Sequence, residues 1–255
     1  MGTTETTDLA PAVREILASA GERTAVEAVD GPVSVAGPSL VEALAAAEEA
    51  GQAPIIGEVK PNSPTTAVER TIDPVRVARR MESAGAAAIS VLTEPDHFGG
   101  SPGDLPAVRD AVSVPVLRKD FLLEEAHLDV VPADAVLLIA RFLDDLEGMI
   151  GAARVRGMTP LVEVHTRAEL EDALAAEASV IGINNRDLAT LSVDRSTVER
   201  LAEDVPPSVT LVAESGIRSL EDRDRMLAAG ADGLLIGTAI MDGDVADTTR
   251  RLVRR

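Results

Sequence analysis

Two lysines, Lys60 and Lys119, stand beside 22 arginines in this chain of 255 residues. Arginine replaces lysine wherever only a positive charge is needed. It cannot do so where a group must part with a proton near neutral pH, because guanidinium keeps its proton and a buried ammonium need not. Both lysines close an apolar, strand-like run, Pro54-Ile-Ile-Gly-Glu-Val-Lys60 and Val114-Pro-Val-Leu-Arg-Lys119. Proton transfer is the chemistry this pattern suggests. The alternative is a pair of lysines left by chance on a solvated surface.

Other ionisable or hydrogen-bonding residues end further apolar runs: Glu58 beside Lys60, then Ser63; Glu94 and Phe98; Glu163 and His165; Asn184 and Arg186; Glu214, Ser215 and Gly216; Gly237 and Thr238. Solvated loop ends are also polar, so no one of these residues is decisive. Surface polarity explains less well why carboxylates, ammonium groups and a guanidinium recur at the same end of successive runs. Ser215-Gly216 and Gly237-Thr238 carry a second signal. Small residues there let backbone N–H groups approach an anion, and a following helix N-terminus favours negative charge. The competing reading is a pair of tight turns.

The elements that would position these groups are legible from residue 54 onward. Eight β-like runs, Ile55–Val59, Ala87–Leu92, Val114–Leu117, Ala135–Ile139, Leu161–Val164, Val180–Ile183, Thr210–Ala213 and Gly233–Ile236, alternate with helical stretches of i, i+3, i+4 apolar spacing. The runs lack in/out alternation, as expected of strands covered on both faces. Asp73–Ala84 reads as a helix with Asp73 as N-cap, Pro74 at its first position and Gly85 at the stop. Asp144–Arg156 and Ser219–Ala229 read likewise, ending at Gly157 and Gly230. Eight such units predict an α/β protein with a closed (β/α)8 TIM barrel. An open doubly wound sheet is the competitor, but no G-x-G-x-x-G follows the first strand. Residues 1–53 form an N-terminal helical extension with helices over Pro11–Ala20 and Ser39–Ala50, split by Val29–Pro38. Residues 54–255 form the barrel, the whole being one domain. In such a barrel the active site lies at the C-terminal strand ends, which is where the residues above sit.

Composition narrows the partners. Acidic residues number 43 against 24 basic, for a net charge of −19. Such a surface repels nucleic acid and anionic membranes. A phosphorylated small molecule would need a site with its own positive field. The acidity, with the scarcity of lysine, suggests adaptation to high salt, where carboxylate repulsion is screened. A GC-rich genome would explain the arginines but not the acidity. Without cysteine there is no disulfide, thiolate metal site or thiol nucleophile. The histidines, His97, His127 and His165, are too scattered for a zinc site. No apolar run reaches the ~20 residues of a membrane span, and the acidic N-terminus lacks the apolar core of a secretory signal. The expectation is a cytoplasmic protein and, with so few aromatics, a monomer.

In order along the chain, Glu58-Val-Lys60-Pro-Asn-Ser63-Pro64, Leu92-Thr-Glu94 with Phe98-Gly-Gly-Ser101, Val116-Leu-Arg-Lys119-Asp-Phe121, Glu163-Val-His165, Gly182-Ile-Asn184-Asn-Arg186-Asp-Leu188, Glu214-Ser-Gly-Ile217 and Gly237-Thr238 resemble the indole-3-glycerol-phosphate synthases. The resemblance spans residues 54 to about 241, and the helical extension is similar to that family's own. It implies a lyase of tryptophan biosynthesis. The substrate would be 1-(2-carboxyphenylamino)-1-deoxyribulose 5-phosphate, which undergoes ring closure, decarboxylation and dehydration with no metal or cofactor. It also implies roles. Lys119 is the principal general acid and Glu163 the base; Lys60 meets the substrate carboxylate and is a candidate second acid. Glu58 and Glu214 set their charge states. Asn184 and Arg186 orient the substrate, Ser63 assists, Phe98 packs on the aromatic ring, and Ser215, Gly216, Gly237 and Thr238 hold the phosphate. The chain departs from the family pattern at Thr238, where serine is common, at His97, where a second aromatic is frequent, and at Thr65, where serine is usual. Two other readings stay open: a phosphoribosylanthranilate isomerase, which relies on a cysteine or equivalent base, and a barrel that only binds a phosphorylated ligand.

Overall fold

The computed structural model describes residues 9–23, 33–62 and 72–255. Ser63, its neighbours Pro64 and Thr65, and residues 29–32 lie outside them. Eight parallel strands close on themselves in chain order: β1 Ile55–Val59, β2 Ala88–Leu92, β3 Val116–Lys119, β4 Ala135–Ile139, β5 Thr159–Val164, β6 Val180–Asn184, β7 Thr210–Glu214 and β8 Gly233–Ile236. The pairing of β8 with β1 makes this a barrel and rules out the open sheet. Three strands run past the apolar stretch that marks them in the sequence, so that β3, β6 and β7 end on Lys119, Asn184 and Glu214. A ladder continues as long as backbone groups pair, whatever the side chain. On β3 the start moves later, to Val116, beyond Pro115, which has no N–H to donate.

Strand parity sorts the side chains. Ile55, Val59, Ile89, Val91, Val116, Val136, Val162, Ile181 and Leu211 pack in one buried cluster. Ile56, Ala88, Leu117, Ala135, Leu137, Leu161, Val180, Val212 and Leu235 pack in another. The first set points out, toward the helices; the second fills the barrel. Glu58, Lys119, Glu163 and Glu214 have the parity of the second set. Each lies two residues beyond an inward-facing apolar residue, at the C-terminal end of its strand.

Ten α-helices surround this frame among the described residues: α1 Pro11–Glu22, α2 Leu40–Glu49, α3 Pro74–Ser83, α4 Asp104–Ala111, α5 Leu146–Val155, α6 Arg167–Ala175, α7 Ser196–Ala202, α8 Leu220–Ala228, α9 Thr238–Met241 and α10 Val245–Val253. Asp73 caps α3 by accepting from the Arg76 N–H at 3.1 Å, and Gly85 follows with φ +100°. Ser219 caps α8 reciprocally with Asp222. The start of α5 falls one residue later than expected because Asp145, not Asp144, accepts the Gly148 N–H. Between β3 and β4 there is only a 3₁₀ turn, Glu125–Asp129. There His127 Nδ1 accepts from the Leu123 N–H at 2.9 Å, a side-chain bond standing in for a helical one.

The helices ahead of the barrel divide between its two ends. Leu40 and Leu44 of α2 join the interior cluster at the strand starts, closing the N-terminal end. In contrast, α1 lies over the C-terminal mouth: Leu9, Ala10 and Val13 pack on Leu188, and the Ala10 N–H bonds the Leu188 carbonyl at 2.9 Å. The helical extension thus supplies one helix to each end of the barrel. Among the described residues no helix is long and apolar enough to cross a membrane.

Candidate active site

A cavity of about 410 Å³ opens at the C-terminal mouth. Glu58, Lys60, Phe98, Lys119, Glu163, Asn184, Arg186, Glu214, Ser215, Gly216, Gly237 and Thr238 all line it. Of the residues given a site role by the resemblance only Ser63 is missing, because it lies outside the described residues; Glu94 and His165 end their runs without lining the cavity.

The charged floor is built by alternation. Glu58, Lys119, Glu163 and Glu214 come from β1, β3, β5 and β7, the odd-numbered strands, and side chains from alternate strands share a layer in a barrel of this kind. Lys119 Nζ sits 3.8 Å from Glu163 Oε2 and 3.7 Å from Glu214 Oε2. Lys60 pairs with Glu58. Room for Glu214 depends on the neighbouring strand: a Cβ at Gly182 would collide with the Glu214 carboxyl and lie 3.3 Å from Leu161 Cδ1.

Burial and mutual charge set the protonation of this floor. Burial alone would strip the proton from Lys119, but the carboxylates of Glu163, Glu214 and Glu58 outweigh it and hold the ammonium well above the ordinary lysine range. Burial would likewise raise Glu163, but Lys119 and His165 hold it down to about 2. In Glu214, burial and the charge of Glu163 act together and push the carboxyl up to about 8. Glu58 stays low because Lys60 and Lys119 overcome its burial. Two buried carboxyls with opposed shifts therefore flank one proton-loaded ammonium, an arrangement suited to general acid–base work.

The walls differ in character. All three aromatic residues of the chain gather at the mouth: Phe98 and Phe121 stack with centroids 6.4 Å apart, and Phe121 meets Phe142 at 6.3 Å. Val13 and Ile16 of α1 extend this apolar wall. At its other end, α1 is tied down by Arg23, which donates to Asp120 Oδ1 at 3.0 Å. On the opposite side Ser215 and Gly216 both adopt positive φ, +65° and +78°, so the chain turns with its backbone against the cavity. Gly237 caps the short helix α9, which begins at Thr238. Asn184 Oδ1 accepts from the Arg186 N–H at 2.9 Å, and the Arg186 side chain donates to the Leu191 carbonyl at 2.8 Å. His97, an apparent departure at the sequence level, stays close to Glu94, with Nδ1 and Oε1 3.4 Å apart.

Sequence reasoning left several contributors without a role. Phe121 stood inside a quoted motif; the signal was that every phenylalanine follows a strand end. Val13 and Ile16 reach the cavity only through the packing of α1, and their apolar helical spacing reads the same for any buried helix. His165 ended the fifth run beside Glu163, and its ring proves to contact that carboxylate at 3.2 Å.

Residues 8–252 match the family described as indole-3-glycerol phosphate synthase. An indole-3-glycerol phosphate synthase of Halobacterium salinarum is 57% identical over 253 residues, covering 98% of each chain. That of Haloarcula marismortui is 55% identical over 256 residues, covering 97% of this chain and 93% of its own. The Mycobacterium avium protein of the same name is 44% identical over 236 residues, 90% of this chain and 84% of its own. A solved structure titled "Native KDPGal structure" superimposes with a TM-score of 0.57 at 17% identity, over 78% of this chain and 92% of that one, a likeness of fold alone.

Proposed function

Because the chain belongs to the indole-3-glycerol phosphate synthase family, we propose that Lys119 and Glu163 are the acid and base of its ring-closing reaction. The enzyme is a decarboxylating lyase of tryptophan biosynthesis. It converts 1-(2-carboxyphenylamino)-1-deoxyribulose 5-phosphate to indole-3-glycerol phosphate. The aryl carbon bearing the carboxylate attacks the sugar ketone, CO2 leaves to restore aromaticity, and a hydroxyl leaves as water. The observation that carries the assignment is the Lys119 ammonium lying between Glu163 and Glu214 at the bottom of the cavity.

In this reading Lys119 donates its proton to the ketone oxygen as the new C–C bond forms. Each proton it gives up removes the cation that holds Glu163 down, so the carboxylate becomes a better base as the acid is spent. Glu163 then takes the proton from the ring carbon beside the departing hydroxyl, which leaves as water with a proton from Lys60, or from Lys119 once solvent has reprotonated it. Lys60, paired with Glu58, meets the substrate carboxylate. Phe98 flanks the aromatic ring, and Asn184 and Arg186 orient the polar groups. Ser63, which lies outside the described residues, assists on the strength of the family resemblance alone, Glu58 and Glu214 set the charge of the lysines, and the Ser215-Gly216 and Gly237-Thr238 backbones take the phosphate. The protein works as a cytoplasmic monomer adapted to high salt, a reading supported by the net charge of −19 and the similarity to proteins of Halobacterium and Haloarcula. An isomerase relying on cysteine is disfavoured because the chain has none.

The test is indole fluorescence on mixing the protein, at high salt, with the carboxyphenylamino-deoxyribulose phosphate, beside Lys119→Arg. Turnover should fall by about 10²–10⁴-fold in the variant while substrate binding is largely kept. Equal turnover in the two would remove Lys119 from the chemistry. No turnover by the folded wild-type protein would favour the binding-only or isomerase readings.

A further inference from the structure

Behind Glu163, on the side away from Lys119, lies a chain of partly buried charged groups that the reaction as described does not use. His165 stands just past β5, its side chain 4% exposed. Its Nε2 is 3.2 Å from Glu163 Oε1, a charge contact without hydrogen-bond alignment, and its Nδ1 hydrogen-bonds Glu169 Oε2 at 3.3 Å. Glu169, in the first turn of α6, also accepts the His165 backbone N–H at 2.7 Å and the Arg141 Nε–H at 3.0 Å. Thr166 caps α6 and Glu169 occupies its third position, so the helix start fixes where the Glu169 carboxylate points.

A neutral imidazole has one N–H and one lone pair, and its lone pair would face a carboxylate here. Only the doubly protonated ring sets positive charge against both carboxylates and leaves no lone pair facing either. The groups facing the ring are Glu163 from β5, Glu169 from α6 and Arg141 from the turn after β4. Burial and Arg141 oppose protonation, but the two carboxylates prevail and bring the ring to about 9.

We infer that His165 is a positioning residue: as an imidazolium clamped between Glu169 and Glu163, it fixes Glu163 Oε1 and so aims Oε2 at Lys119 and the substrate. This rests on the reading of Glu163 as the base. Without the clamp the carboxylate would turn on its own side chain, and the cation opposite Lys119 would be lost.

The chain has three histidines, so the ring signals can be assigned by ¹⁵N NMR with His165→Gln as the blank. The His165 ring should carry two N–H groups at pH 7.5 in the wild-type protein. In Glu163→Gln its titration midpoint should drop by a unit or more. His165→Gln and Glu169→Gln should each lose about tenfold or more in kcat with KM within about twofold, and the acidic limb of their kcat–pH profiles should move to higher pH. Loss of folding alone would lower the melting temperature without moving that limb. Glu169→Gln lies outside the cavity and keeps the test open if His165→Gln folds poorly. A His165 ring that titrates near its ordinary value and ignores Glu163→Gln would overturn the clamp. So would wild-type kcat and pH profile in both variants beside an inactive Glu163→Gln. Full activity in Glu163→Gln would instead sink the base assignment, and the positioning role with it.

Discussion

Lys119, Glu163, Glu214 and His165 owe their protonation states to burial and to one another, and that makes the fold itself pH-sensitive. His165 titrates at about 9 in the folded chain against an ordinary 6.5. Its contribution is complete below about 6.5 and is lost as the pH rises through about 9. Glu214, pushed from 4.5 to about 8, works in the same direction, since the fold favours its neutral form. Glu163, held down to about 2, contributes above about 4.5 and loses that contribution as the pH falls. The melting temperature should therefore peak near about pH 4.5 and fall from there to about pH 9, most steeply between about 6.5 and 8, where Glu214 and His165 act together. In His165→Gln the alkaline fall should be shallower. A melting curve flat from pH 6 to 9.5 in the wild-type protein would contradict the shifts on both His165 and Glu214.

At the scale of elements, strands and their turns aim the chemistry, and glycines make room for it. A Cβ at Gly237 would overlap the Glu58 carboxyl and lie 3.1 Å from Lys60 Cε. Gly237→Ala should therefore displace the Glu58–Lys60 pair as well as the backbone proposed to take the phosphate. A misplacement of this size costs on the order of 10²-fold in rate. The expected outcome is a lower kcat together with a higher KM, at a melting temperature close to wild type; steady-state kinetics beside a thermal melt would check it. An increase in KM alone would mean that the turn serves the phosphate and leaves the ion pair untouched. The two leading helices act at this scale too. Plugging the barrel from below, α2 contributes to folding, whereas α1 adds Val13 and Ile16 to the cavity wall. Val13→Ala with Ile16→Ala should raise KM several-fold with kcat nearly unchanged, because these side chains belong to the apolar wall of the cavity and not to its charged floor.

For the whole molecule the net charge of −19 is the governing quantity. Charges on the surface of a compact protein repel one another, and the screening length shortens from about 10 Å at 0.1 M salt to about 3 Å at 1 M. The melting temperature should climb through this range, most steeply at its lower end. A sucrose series at matched osmolality should give a much smaller rise. Equal stabilisation by sucrose and by salt would show that repulsion among carboxylates is not what limits stability.

The sequence by itself determined the class of fold and the rim proposed for the chemistry. The eight apolar runs, the caps Asp73 and Ser219, and the polar residue ending each run are local signals, set by backbone propensity and burial within one stretch of chain. Two lysines kept among 22 arginines pointed to proton transfer before any contact was known. What only the tertiary structure decided is which of these groups meet. That Lys119 lies between Glu163 and Glu214 depends on barrel closure and strand register, which place odd-strand side chains in one layer across 44 and 95 residues of chain. The descent of α2 to one end and the rise of α1 to the other are packing outcomes that an amphipathic pattern leaves open. The charge states follow last, because a carboxyl at about 2 and another at about 8 differ by burial and neighbours, and neither is written in the letters Glu163 and Glu214.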